Sequence, residues 1–209
     1  MIGQDVSSTA EVWYYRDKWT THRKMHRGSN VSADLFHKLE GENIYFKALD
    51  TRDAAEIHSY ASDENVKKFI GWPLMKSLEE TSAFVEEMLR REAAGTHLYA
   101  SVILKATQEI VGTVMIFGFD REAKHAEVGY VFHSKHWGKG YGTETVALTS
   151  DFVFENLDLH KLHARVADAN IGSARVLEKN GFELEGRLRD YYFIDGSYYD
   201  SLLFGKFRK

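Results

Sequence analysis

The stretch "HSKHWGKGYGTETV" at 133–146 sets Gly138, Gly140 and Gly142 between a run of strand formers and a run with helical period. Backbone without Cβ atoms at the mouth of a helix presents several N–H groups together with the positive end of the helix dipole. The ligand that suits such a mouth is an anion. A Walker A loop requires G-x-x-x-x-G-K-[ST], and "GKGYGTE" has neither that spacing nor the terminal pair. A dinucleotide fingerprint requires G-x-G-x-x-G early in the chain and an acid about 20 residues later. Here the spacing is G-x-G-x-G, it falls late, and Leu162 and His163 stand where the acid belongs. What remains is a loop of successive N–H groups closed by a helix, a cradle for a pyrophosphate.

The flanks predict an ordered series of elements. "NIYFKAL" (43–49) alternates as a strand, and Asp50 or Thr51 caps a helix through "RDAAEIHSYA", followed by a short one at "ENVKKFI". "GWP" (71–73) breaks the chain at its only proline, and Ser77 with Glu80 forms a capping box for a helix to about Arg91. "HLYASVILK" (97–105) and "EIVGTVMIFGF" (109–119) pair as a hairpin around "ATQ", and "HAEVGYVF" (125–132) is a third strand. After the glycine loop a helix runs from about Thr143 to Leu157, with Val146, Val153 and Leu157 on one face. "HKLHARVA" (160–167) is a strand, Asn170 caps the helix "IGSARVLEK", and Gly181 stops it. The last segment folds as strands around Asp195-Gly196. The order β-α-α-α-β-β-β-α-β-α-β-β implies a mixed sheet with helices on both faces.

Composition closes off several classes of chemistry. The chain has 209 residues with a formal net charge of −4, so it lacks the basic surplus of an obligate nucleic-acid binder. It has no cysteine, which excludes disulfides, thiolate nucleophiles and Cys-based zinc sites and suits a reducing cytoplasm. No apolar run reaches membrane-spanning length, and no leader pattern opens the chain, so a cytoplasmic protein is expected. His133-x-x-His136 and His160-x-x-His163 resemble metal pairs, but strand residues spaced i,i+3 point to opposite faces, and no metal is expected. Residues 1–40 read as an extension apart from the domain at 41–209. Its one regular stretch is a short helix at "VSADLFHKLEG", capped by Ser32 and stopped by Gly41. The aromatic cluster Trp13, Tyr14, Tyr15 and Trp19 suits packing on its own domain or on a second copy in a homodimer.

"AEVGYVFHSKHWGKGYGTETV" resembles the acetyl-CoA motif of the GNAT acyltransferases, and "DANIGSARVLEKNGFELEGRLRD" resembles their next motif. Together they are similar to the branch holding the Rim-type enzymes, which acetylate ribosomal-protein N-termini, over roughly residues 42–209. The resemblance implies an α/β (α+β) fold: a mixed, mostly antiparallel sheet of about seven strands whose central parallel pair splays apart. It also implies a cytoplasmic N-acetyltransferase that carries acetyl from acetyl-CoA to a primary amine by direct attack. A protein N-terminus leads as acceptor, ahead of a polyamine or an amino-antibiotic, and a non-catalytic acetyl-CoA-binding module is the other class.

The resemblance also assigns residues. The loop Gly138, Lys139, Gly140, Tyr141, Gly142, Thr143 would hold the pyrophosphate by its N–H groups, with glycines at 140 and 142 for close approach. Trp137 stands where the wider superfamily has Gln or Arg, which shifts recognition from side chain to backbone. Main-chain groups at Phe132 would face the pantetheine slot and polarise the acetyl oxygen. Asn170 would both cap its helix and bond the pantetheine arm. Ser173 would return a proton to the thiolate, because Leu177 occupies the place of the usual tyrosine acid; a purely structural serine is the alternative. Glu127 matches the general base of histone-type relatives, or else pairs with a neighbouring cation. Tyr192 falls where some Rim-type relatives carry a glutamate, and Trp72, Tyr191 and Tyr192 would wall the acceptor pocket.

Overall fold

In the computed structural model, residues 29–68 and 74–209 are described. The elements are α1 (Ser29–Phe36), β1 (Ile44–Lys47), a 3-10 turn at Thr51–Asp53, α2 (Ala54–Ala61), α3 (Glu64–Lys67) and α4 (Leu78–Ala93). Then come β2 (Leu98–Leu104), β3 (Ile110–Asp120), β4 (His125–Phe132), a 3-10 turn at Ser134–His136, α5 (Tyr141–Asn156), β5 (Lys161–Ala167), α6 (Ile171–Lys179), β6 (Glu183–Ile194) and β7 (Ser197–Phe207). Order and type agree with the periodicity of the sequence. Among the described residues, no helix is long and apolar enough to cross a membrane.

The seven strands form one sheet in the order β1-β2-β3-β4-β5-β7-β6. Every neighbouring pair is antiparallel except β4–β5, which is parallel. A parallel pair needs a crossover, and α5 supplies it. That central pair is short: only His125, Ala126 and Glu127 register with Lys161, Leu162 and His163. Beyond it β4 stays with β3 as far as Gly112↔Phe132, and β5 stays with β7 as far as Ala167↔Ser201. The strands therefore part, and 128–132 faces 164–167 across a gap.

Helices cover both faces. On one, Phe36, Phe46, Val102, Phe132, Val146, Leu162 and Leu177 form a core beneath α1, α5 and α6. On the other, Ile57, Tyr60, Val85, Met88, Ile103 and Val131 pack under α2 and α4. Phe36 is fully buried against Phe46 and Phe152, so α1 packs on this core. The helix also begins ahead of the expected Ser32 cap. Gly41 follows for a steric reason, since a Cβ there would overlap the Glu144 carboxylate.

Candidate active site

At the end of β4, His133 donates from its main-chain nitrogen to Val111 O at 2.9 Å. Main-chain groups in an antiparallel pair alternate in direction, so those of Phe132 and Tyr130 turn away from β3 and into the gap. The Trp137 indole donates to Phe132 O at 2.9 Å and closes the outer end of the strand. The Phe132 and Tyr130 N–H groups thus face the position where β5 would have paired.

The glycine loop enters α5 through Gly140 at φ 90°, ψ −10°, and no side chain caps the helix. Gly138 also has positive φ, at 76°, and a Cβ at either residue would meet nothing within 4 Å. Glycine is needed at these two positions for backbone conformation rather than for space. At Gly142 a Cβ would stand 3.5 Å from both Phe132 and Val176, an ordinary van der Waals contact, so this residue faces β4 and α6 across the start of α5. Thr143 O accepts from Asn180 Nδ2 at 3.1 Å, which ties the first turn of α5 to the far end of α6. Lys139 is exposed, and the Tyr141 ring lies 6.2 Å from that of His136. The uncapped N–H groups and the outward main chain of 130 and 132 together suit an anion followed by an extended amide-bearing arm.

Across the gap, Asn170 Oδ1 accepts from Ser173 N at 3.1 Å, the capping bond read from the sequence. The Ser173 hydroxyl meets the Tyr130 hydroxyl at 2.8 Å, and Tyr130 also donates to Ser173 O at 3.3 Å. Tyr130 is a site residue that sequence reasoning missed. Burial pushes its phenol well above the ordinary range, and the bond to Ser173 offsets this only in part. It is therefore a hydrogen-bonding partner for Ser173 and a poor acid. In the strand pattern Tyr130 looks like one more inward aromatic, and nothing local pairs it with a serine 43 residues away.

On the other face, Glu127 pairs with a cation, the second of the two roles expected for it. Its Oε1 accepts from Arg165 Nε at 3.0 Å and its Oε2 from Arg165 Nη2 at 2.7 Å. His163 Nε2 lies 3.6 Å from Oε2. Burial alone would raise the Glu127 pKa, but the bonds to His163 and Arg165 outweigh it and hold the carboxyl below the ordinary range. Arg165 Nη1 also donates to the Tyr191 hydroxyl at 3.1 Å, and Tyr192 packs edge-on against Tyr191 at 5.1 Å. The structure thus joins Glu127, Arg165, His163 and Tyr191 at the point where β4 and β5 separate. Trp72 lies outside the described residues. A hollow of about 570 Å³ beside Glu56, Glu109 and His133 lies between α2 and the β2–β3 turn, outside the parted strands.

A profile of the acetyltransferase (GNAT) domain family matches residues 43–183. The probable N-acetyltransferase YjcK of Bacillus subtilis is 33% identical over 168 residues, covering 78% of this chain and 92% of that protein. The solved ribosomal-protein-S5-alanine acetyltransferase of Vibrio fischeri superposes with a TM-score of 0.71 at 25% identity, over 80% of this chain and 94% of its own. A spermidine N-acetyltransferase from Vibrio cholerae, solved with CoA and spermine, shares the fold at TM-score 0.71 and 23% identity, over 80% of this chain and 96% of its own.

Proposed function

The chain belongs to the GNAT family and is an N-acetyltransferase, and we propose that acetyl-CoA is its donor and a protein N-terminal amine its acceptor. The observation that carries the donor assignment is the parting of β4 from β5 after Glu127↔His163, directly below a helix entered through Gly140 without a capping side chain. The N–H groups from Gly138 to Thr143 hold the pyrophosphate, helped by the positive end of the α5 dipole. The outward main chain of Phe132 and Tyr130 takes the place of a β-ladder for the pantetheine arm, and Asn170 bonds it from the α6 side. An N–H on this strand polarises the acetyl carbonyl as negative charge develops on its oxygen. Ser173, with its hydroxyl held by Tyr130, returns a proton to the departing sulfur.

Charge supports a peptide N-terminus over a polyamine. A polyamine brings several cations and needs carboxylates that are not already paired, whereas a peptide N-terminus brings one charge. On this side of the sheet Glu127 holds Arg165, and Asp195 holds Lys67 at 3.0 Å. Tyr191 and Tyr192 offer flat, neutral surface for the residues after the amine.

The test is CoA thiol release from acetyl-CoA with peptides beginning Ala or Ser, run beside spermidine. Release with the peptides is expected, and release with spermidine alone would overturn the acceptor. Ser173→Ala should lower kcat by about 100-fold, the scale of a lost general acid, with the acetyl-CoA Kd unchanged. An unchanged kcat would remove Ser173 from the reaction.

A further inference from the structure

We infer that His163, rather than Glu127, takes the proton from the acceptor amine, with the Glu127–Arg165 pair as its positioning group. The inference rests on the acetyl-transfer reading above. Its basis is placement. Glu127↔His163 is the last registered pair before β4 and β5 part. Residues two apart on a strand share a face, so the side chains of 163 and 165 leave β5 on the same side, where Arg165 meets both Glu127 and the Tyr191 hydroxyl. The imidazole therefore stands at the last registered pair below the gap, with Arg165 the next residue on its face toward the candidate acceptor residues.

Glu127 is poorly suited to the task itself. Both its oxygens already accept charge-assisted bonds from one guanidinium, and the residue is only 7% exposed. What it can do is hold a cation. An imidazolium at 163 would lie 3.6 Å from Oε2 and gain from a carboxylate that never has to move.

His163 also has a way out for the proton. Its ring meets that of His125 edge-on at 5.3 Å, and His125 is partly exposed, with Nε2 3.9 Å from Asp120. The Nδ1 of His125 is buried without a hydrogen-bond partner among the described residues. The two rings share a cavity of about 240 Å³ with Lys161, Glu185, Leu203 and Phe204. The charged or titratable groups around His163 are thus Glu127 and His125 from β4, Lys161 and Arg165 from its own strand, and Glu185 from β6, itself held by Lys161 at 2.7 Å. From β7 the cavity receives only the apolar Leu203 and Phe204.

The step balances. A peptide N-terminus arriving as ammonium gives one proton to His163, and its freed lone pair attacks the thioester carbonyl. The C–N bond forms and the C–S bond breaks. The second nitrogen proton reaches the sulfur through the Ser173 hydroxyl, which gives up its own proton and takes that one. The imidazolium then passes its proton to water on the His125 side. Each turnover yields an N-terminal acetamide, a CoA thiol and one proton.

The experiment measures kcat/KM with an Ala-initiated peptide from about pH 5.5 to 9 for the parent protein, His163→Gln, His163→Ala and Glu127→Gln. His163→Gln is expected to lower kcat about 100-fold at neutral pH, with the acetyl-CoA Kd unchanged as the check on folding. Its profile should lose the parent's acid limb and rise steadily with pH. Added imidazole should restore part of the rate in His163→Ala. Glu127→Gln should keep the acid limb and lose about 10-fold, as expected of a group that orients the base. A His163→Gln protein with the parent's profile, or a Glu127→Gln protein that alone loses the limb, would overturn the inference. A parent active on spermidine but not on the peptide would overturn only the acceptor assignment, and the same variants would then test His163 on spermidine.

Discussion

Helices α4 and α5 begin in opposite ways. At α4, Ser77 sits in extended conformation and its Oγ accepts from Glu80 N at 3.3 Å, while the Glu80 carboxylate reaches back to Lys76 N at 2.7 Å. At α5, Gly140 supplies no side chain at all. A side-chain cap is worth about 1 kcal/mol, so α5 forgoes that stabilisation at its first turn. It is anchored instead from the side and along its length. The Glu144 carboxylate accepts from Asn43 N at 2.8 Å and Asn43 Nδ2 at 3.1 Å, and Val146, Phe152 and Val153 are buried beneath it. A helix held along its flank can leave its N–H groups for a ligand. A helix whose entry is only structural fills that entry with its own side chains, and α6 would lie between the two if Asn170, which caps it, also bonds the pantetheine arm as proposed.

The sharpest way to break this contrast is to give α5 the cap it lacks. Gly140→Asp should raise the acetyl-CoA Kd at least about 100-fold, roughly 2.7 kcal/mol, because the carboxylate takes the N–H groups and repels a phosphate. Its Tm should also fall, since an L residue at φ 90° is strained even though a Cβ at 140 meets no atom within 4 Å. Isothermal titration and thermal melting would read both, and normal acetyl-CoA binding would end the assignment of this loop.

Asn170→Ala should give a smaller, double loss: about 1 kcal/mol of stability from the cap, and about tenfold in acetyl-CoA Kd from the pantetheine bond. Loss of stability alone would make α6 a second α4. Ser77→Ala should cost about 1 kcal/mol in a denaturant melt and leave the acetyl-CoA Kd unchanged.

The smallest effect concerns α1, which is held at its C-terminal end. His37 Nε2 lies 3.1 Å from Glu92 Oε1 and 2.9 Å from Tyr99 O, both acceptors, so this nitrogen carries the hydrogen. Burial alone would lower the His37 pKa, but the Glu92 partnership outweighs it and raises the value in the folded chain. Its contribution is fully present below the unfolded value of about 6.5 and is lost as pH rises through the higher folded value. Unfolding free energy measured from pH 6 to 8 should fall by a small amount that His37→Gln abolishes. A parent slope equal to that of the variant would discount the pair.

Much of the fold was legible in the sequence, because local order carries it. Alternation at Leu162, Ala164 and Val166 marked the buried face of β5, and the Ser77 and Asn170 caps lie where their neighbours' N–H groups need acceptors. Asp195 and Gly196 both take positive φ at the turn expected of them. The candidate site was legible as a set of positions and only partly as a set of partners. The loop glycines were found, but not that Gly142 turns its Cα toward Phe132 and Val176, which depends on how α5 lies against β4 and α6. Glu127 was found, but its carboxylate shares Arg165 and His163 through a parallel register that no local pattern specifies.

By itself, then, the sequence determined the elements, their order, their caps and the bare entry to α5. Each of these follows from interactions within a turn or two of chain, where the backbone leaves few alternatives. The tertiary structure decided that Tyr130 holds Ser173, that Arg165 holds Glu127, and that His163 stands beside them where the sheet opens. Those contacts join residues 36 to 43 positions apart, set only when β4 and β5 take their register and α6 packs across the gap.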